Sequence, residues 1–357
     1  MEKLKNTVKE IALQEGASLV GITTKERLDG PSCSDLTYLL PEGKSAIVLG
    51  ISIDRNIIKD YLGKKNFSAR DAMNRHEGEL YHKLWKIETV ISMFLKSQGY
   101  KSVNTWPNKD YREYKSGRGT PGPFAFTPEF SHRYAAVAAG LGGFGWSSNI
   151  VTKEYGAAVY FSSVLTDAPF EPDPLIPESP CDNCKMCAYA CQAGFIQKGE
   201  KKREIKLGGK VFQHGMNEYL GRCALCCGGW INRHQYPDWS TFSSLCVDFT
   251  FPEKNDEFDQ KYKQMVLADL KGPDSRAKRN ILHHIELTRR GMHETKLDEY
   301  KVVCAFCQLI CWGNKKERAD NLKLLQKSGV VTIDDKQNEV IIRNGGIIDS
   351  RPLPGKP

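Results

Sequence analysis

Four cysteines stand at C-x2-C-x2-C-x3-C in Cys181-Asp-Asn-Cys184-Lys-Met-Cys187-Ala-Tyr-Ala-Cys191. This is an iron–sulfur ligand spacing: three thiolates on one tight loop reach three irons of one cubane, and the fourth serves another cluster. A second run, Cys304-Ala-Phe-Cys307-Gln-Leu-Ile-Cys311, repeats the pattern one cysteine short. Crosswise sharing gives one [4Fe–4S] cluster Cys181, Cys184, Cys187 and Cys311. The other takes Cys191, Cys304, Cys307 and a donor from Arg222-Cys223-Ala-Leu-Cys226-Cys227, where all three cysteines are open candidates. A zinc ribbon uses C-x2-C pairs and would leave Cys187, Cys191 and Cys311 unexplained.

The chain that must position these thiols has 357 residues, 40% of them hydrophobic, with a net charge of +8. Its length suggests two or three domains at roughly 100–200 residues each. No stretch of about 18 apolar residues suggests a membrane span. Without a secretory or twin-arginine signal, the chain reads as cytoplasmic, and twelve cysteines then point to metal ligation rather than disulfides. The excess positive charge suits an acidic electron donor, reduced ferredoxin or flavodoxin. Its densest spots, Lys201-Lys202-Arg203 and Lys315-Lys316, lack the interleaved aromatics of a nucleic-acid surface.

Apolar residues at Leu4, Val8, Ile11 and Ala12 predict a helix over 1–15, and Gly16 stops it. Residues 17–23 and 45–53 predict strands, the second apolar enough to be buried on both faces. A long helix spans 71–97 with Leu80, Leu84, Ile87, Ile91, Phe94 and Leu95 inward. Residues 108–130 form a loop rich in Tyr, Arg, Gly and Pro, of a length usually functional. A helix over 132–139 leads into Ala139-Gly-Leu-Gly-Gly-Phe-Gly-Trp146, a turn that lets backbone press against a flat or phosphorylated ligand. It does not have the G-x-G-x-x-G dinucleotide spacing after a strand. Residues 155–166 predict a strand, and five prolines make 169–180 a linker. Residues 251–300 read as a solvated helical insertion, 317–327 as a helix, 330–343 as a hairpin and the tail to 357 as loose.

Taken in order, Leu19-Val-Gly-Ile22, Tyr81-His82-Lys83, Arg133 before Ala139-Gly-Leu-Gly, Val164-Leu-Thr-Asp167, the two cysteine runs, Arg222-Cys223 and Trp312-Gly-Asn314 resemble the epoxyqueuosine reductase and reductive dehalogenase superfamily. The resemblance covers most of 1–250 and 301–315. It implies corrinoid-dependent iron–sulfur reductases of mixed α/β (α+β) class. A nitroreductase-like cobalamin-binding domain, 1–168, would be followed by a ferredoxin-like module with two [4Fe–4S] clusters, 169–316, and a C-terminal helix and hairpin extension, 317–357. Electrons would pass through both clusters to the cobalt. The Arg-Cys motif implies Cys223 as the eighth ligand, with Cys226 and Cys227 in reserve. Tyr81, His82, Arg133, Gly140, Gly142, Gly143, Gly145 and Ser147 fall where the cofactor would lie.

Several positions depart from the superfamily pattern. Both runs lack the usual terminal proline, reading Cys191-Gln192 and Cys311-Trp312. The glycine turn continues Trp146-Ser147 rather than with a basic residue. Phe126 stands where epoxyqueuosine reductase carries its catalytic aspartate, and no helical-repeat tail follows the second run. The expected activity is therefore reductive cleavage of a small organic substrate, as in the dehalogenases, with Tyr111, Tyr114 or His132 as proton donor. Epoxide reduction on tRNA is the alternative. A non-catalytic electron-transfer or corrinoid-handling protein is another, and an iron–sulfur flavoprotein a third, because nitroreductase-like folds often hold flavin.

Overall fold

The computed structural model describes residues 1–107, 112, 127–271, 297 and 301–353. Tyr111, Tyr114 and Phe126 lie outside the described residues.

At the centre is a four-stranded antiparallel sheet of β1 (Leu19–Thr24), β2 (Ser45–Ser52), β3 (Ser102–Thr105) and β6 (Val159–Thr166), in the order β1-β2-β6-β3. Side chains alternate across β2. Ile47, Leu49 and Ile51 enter one core with α1 (Glu2–Gln14) and α3 (Phe67–Ser97). Ala46 and Val48 enter a second core with α4 (His132–Ala138). Both faces of the strand are covered, which is why it carries almost no polar residue. The inward stripe of α3 (Leu84, Ile87, Ile91, Leu95) is fully buried on the sheet. Asn66 caps that helix, accepting from the Ala69 amide. A further helix, α2 (Arg55–Leu62), is capped by Asp54.

Beyond the short hairpin of β4 (Gly143–Phe144) and β5 (Ile150–Val151), residues 171–185 cross the molecule without regular structure. They are anchored, because the Asp173 carboxylate accepts from the Ile22 amide at 2.8 Å and pairs with Lys5 and Lys9, each at 2.9 Å. The thiol-bearing elements follow: α5 (Met186–Tyr189), the hairpin β7 (Lys202–Leu207) and β8 (Lys210–Gly215), α6 (Leu220–Cys227), α7 (Asn255–Lys271) and α8 (Phe306–Leu309).

Helix α7 is not a wholly solvated insertion. Phe258 on it is buried with Phe251, Leu225, Cys226 and Trp230 in a core of its own. Residues 272–296, the rest of that expected insertion, are outside the described set. After α9 (Lys315–Gln326), the chain ends in an antiparallel sheet of β9 (Val330–Ile333), β10 (Asn338–Arg343) and β11 (Gly346–Pro352). The expected hairpin is present, but the expected loose tail is a third strand. Its anchors are distant in sequence: Asp349 accepts from the Phe67 amide at 2.6 Å, and Arg351 pairs with Glu339 and Asp71. No helix among the described residues is long and apolar enough to cross a membrane.

Candidate functional site

Both cysteine runs fold the same way. Lys185, after Cys184, and Ala305, after Cys304, adopt left-handed backbone, φ 58° and 62°, and each turns the chain into a short helix, α5 or α8. The turn gathers three cysteines of the first run, and two of the second, round separate spaces. Cys181, Cys184, Cys187 and the far Cys311 line one small pocket with Trp146 and Arg318. The Trp146 amide donates to Cys181 Sγ at 3.3 Å, and the Met186 amide donates to the Cys184 thiol. Burial, together with the neighbouring Cys181, pushes the Cys311 thiol up to about 12, and Cys187 rises for similar reasons.

Cys191, Cys304 and Cys307 lie on a larger cavity of about 940 Å³, with Cys223, Cys226 and Cys227 of α6. The Cys191 thiol receives backbone amides of Ala193, Phe195 and Ile196. Asn149 Nδ2 lies 3.5 Å from Cys307 Sγ. Burial and the adjacent Cys191 raise Cys307 to about 12. Cys223 and Cys227 stand one helical turn apart with their sulfurs 3.5 Å from each other. Arg133, Lys202 and Arg203 line the same cavity together with the carboxylates of Glu204 and Glu218, and His214 and Ser147 also border it. His214 is held by its Nδ1 against the Gly215 carbonyl at 2.6 Å, and burial lowers its pKa.

Among the described residues, no three His, Cys, Asp or Glu side chains converge tightly enough to hold a single metal ion. The donor set fits a larger cationic group. These thiols are crowded together, most of them half-buried, and several are aimed at by backbone amides, so they cannot all ionise unless positive charge sits among them. Amides directed at sulfur are the hydrogen bonds that tune cluster thiolates.

A smaller cavity of about 270 Å³ shares Arg133 and Asn149 with the large one. Tyr81 and Tyr160 line it, their rings 4.9 Å apart. The Tyr81 hydroxyl donates to Glu77 Oε1 at 3.2 Å. Burial, then the Glu77 charge, raises the Tyr160 phenol well above its ordinary value. His132 also borders this cavity, but its ring nitrogens meet Ser163 Oγ at 3.1 Å and the Trp106 carbonyl at 3.3 Å. Burial lowers its pKa to about 4. His82 is half-buried and sits edge-on to Trp106.

The glycine turn has another reason than a ligand. A Cβ at Gly140 would strike the Pro174 carbonyl, at Gly142 the Val151 carbonyl, at Gly143 Ser179 and at Gly145 the Val151 side chain. On the side where a Cβ would stand, the protein's own strand and linker pack against these glycines. Gln192 takes the place of the usual proline and staples a loop. Its amide donates to the Tyr236 carbonyl at 3.0 Å and accepts from the His234 amide at 3.0 Å. His214, Asn149 and Tyr160 carry no local signal in the sequence, because distant segments bring them to the cavities.

No protein-family profile matches the chain. Curated relatives include epoxyqueuosine reductase of Bacillus subtilis (strain 168), 30% identical over 160 residues, which are 44% of this chain and 36% of that protein. The enzyme of the same name from Listeria monocytogenes is 39% identical over 82 residues, 23% of this chain and 21% of that protein. The matches thus span well under half the length of these relatives. Among solved structures, an epoxyqueuosine reductase crystallised with a modified tRNA stem loop has a TM-score of 0.38 at 21% identity, covering 55% of this chain and 53% of that one. A catabolic reductive dehalogenase has a TM-score of 0.46 at 16% identity, covering 96% of this chain and 39% of that one. Over part of its length, the chain is similar in sequence to epoxyqueuosine reductases.

Proposed function

We propose that this protein is an iron–sulfur oxidoreductase, a reductase holding two [4Fe–4S] clusters and a corrinoid. The observation that carries the reading is the gathering of the two cysteine runs, so that Cys311 joins Cys181, Cys184 and Cys187 while Cys191 joins Cys304 and Cys307. The ligands of the first cluster are the former four. Those of the second are Cys191, Cys304, Cys307 and one cysteine of α6. When bound, the clusters would supply one-electron transfer and the corrinoid a low-valent cobalt centre.

The chain's own residues supply the rest. The large cavity opens on the second thiol group, and Arg133, Lys202 and Arg203 on its wall suit a cofactor carrying a phosphate. The smaller cavity, joined at Arg133 and Asn149, is the place for the substrate. Tyr81 lines that cavity with its hydroxyl bonded to Glu77, and this Tyr81–Glu77 pair is the proposed source of a proton, a role expected from the sequence for Tyr111, Tyr114 or His132. His132 is a poor acid, since burial keeps it neutral and both its nitrogens are engaged. Reduced ferredoxin or flavodoxin is the proposed electron donor.

Two substrate classes follow from the two branches. The curated relatives favour epoxyqueuosine in tRNA, and Phe126 in place of the aspartate favours a small organic molecule such as an organohalide. Protein made anaerobically with cobalamin supplied tests the whole reading through iron, sulfide and corrinoid per chain, with EPR during reductive titration. About eight irons and one corrinoid are expected. Eight irons with tightly held flavin would replace the corrinoid by an iron–sulfur flavoprotein, and zinc in place of iron would overturn the reading. Reduction assays on an epoxyqueuosine-modified stem loop and on organohalides then separate the substrates.

A further inference from the structure

Lys64, just past α2, has no exposed surface. Its ammonium lies 5.9, 5.9 and 5.5 Å from the ring centroids of Trp239, Phe242 and Phe306. It donates to one polar atom, Ser328 Oγ, at 2.5 Å. The other buried cations among the described residues, Lys5 and Arg70, pair with Asp173 and Glu339. No carboxylate among the described residues pairs with Lys64: the charged groups that act on it are Arg343 of β10, which repels it, and the Cys304 thiol. Its backbone is left-handed, φ 42°, a conformation that the end of a helix usually gives to glycine or asparagine. A strained, buried cation that the chain itself leaves unpaired calls for negative charge from elsewhere.

The second thiol group is beside it. Phe306, whose ring the ammonium faces, stands between Cys304 and Cys307 in the chain. Tyr61, whose carbonyl accepts from the Lys64 amide at 3.1 Å, donates its hydroxyl to the Cys304 carbonyl at 3.2 Å. Tyr61, Trp239, Phe242 and Phe306 are all buried, so the space round the ammonium is dry and its charge is felt further than in water. Four thiolates make an iron–sulfur centre a net anion, and an added electron makes it more so. Net charge nearby is one of the quantities that set its potential. The anion in turn favours the charged ammonium.

We propose that Lys64 is the buried counter-charge of the second cluster, a positioning residue that raises its reduction potential and so draws an electron from the first cluster towards the large cavity. The proposal rests on the two-cluster reading above. In the transfer one electron leaves the first centre, which is oxidised, and enters the second, which is reduced. No bond is made or broken, and Lys64 acts through its charge rather than as a ligand.

The test uses the full chain, reconstituted anaerobically with iron and sulfide, as wild type, Lys64→Met and Lys64→Gln. EPR during reductive titration at pH 7 reads both midpoints in one sample. A Cys311→Ala chain, short of a ligand to the first cluster, assigns the signals. Both Lys64 variants should weaken reduction of the second cluster on the order of tenfold, about 59 mV for a one-electron couple, and leave the first midpoint in place. Lys64→Met exchanges a buried charge for an apolar chain, so without iron it should be at least as stable to urea as wild type. An unmoved second midpoint, or an equal shift of both, would overturn the proposal. Loss of iron-free stability with unmoved midpoints would leave Lys64 a purely structural residue. Wild type that takes up no iron would instead sink the two-cluster reading itself, and this assignment with it.

Discussion

Burial sets the protonation of His132 and Lys64, and each then carries a consequence for stability. His132 has a folded pKa of about 4 against an ordinary 6.5. The unfolded chain therefore binds the extra proton between those values, and stability falls as the pH drops from about 6.5 towards 4, by on the order of 3 kcal/mol in all. Denaturant titrations at pH 7 and pH 4.5 should show this loss, reduced in His132→Gln. Lys64 is fully buried, its ammonium within 6 Å of the Trp239, Phe242 and Phe306 rings, and burial lowers it to about 7. Here too the unfolded state holds more protons, now between about 7 and 10.5, so this residue's contribution rises with pH across that window. Lys64→Met should flatten that slope. Neither environment was legible in the sequence. His132 read as a proton donor because burial on the far side of a sheet leaves no local mark.

Turns and strands differ in how openly they declare themselves. The two cysteine runs and β2 were plain, because ligand spacing and an unbroken apolar stretch are local. The hairpin β7–β8 was missed although Ile205 and Leu207 alternate with Glu204 and Lys206 ahead of a Gly208-Gly209 turn, since most of its other residues are exposed and the alternation is short. Strand β11 was missed because its partners sit on α3 and β10. At the turns, Ala305 occupies left-handed backbone without being glycine. Ala305→Gly should stabilise the apo-protein by about 1 kcal/mol, read from its urea midpoint. Gly156, at φ 60°, lies against the Cys311 carbonyl, which a Cβ would strike. Gly156→Ala should displace Cys311 and lower the iron content by up to half while leaving the second group intact.

On the scale of the whole chain, the two ends are locked together. Arg70 on α3 forms a buried pair with Glu339 on β10 at 2.7 Å and donates to the Phe242 carbonyl at 2.7 Å. Removing one partner strands a buried charge, so Glu339→Ala should cost about 3–5 kcal/mol in a denaturant titration. The sequence showed the superfamily resemblance, carried by motifs in fixed order. It did not show how a C-terminal sheet would be tied to α3, since salt-bridge partners so far apart leave no spacing to read. The crosswise placement of Cys191 and Cys311 has a consequence for biosynthesis. A ribosome releases the first run long before the second, and with the proposed ligands neither centre has all its corners until Cys304, Cys307 and Cys311 have been made. Completion of either centre must then wait for the second run, and until it happens the newborn protein presents unprotected thiols to whatever oxidants the cell contains.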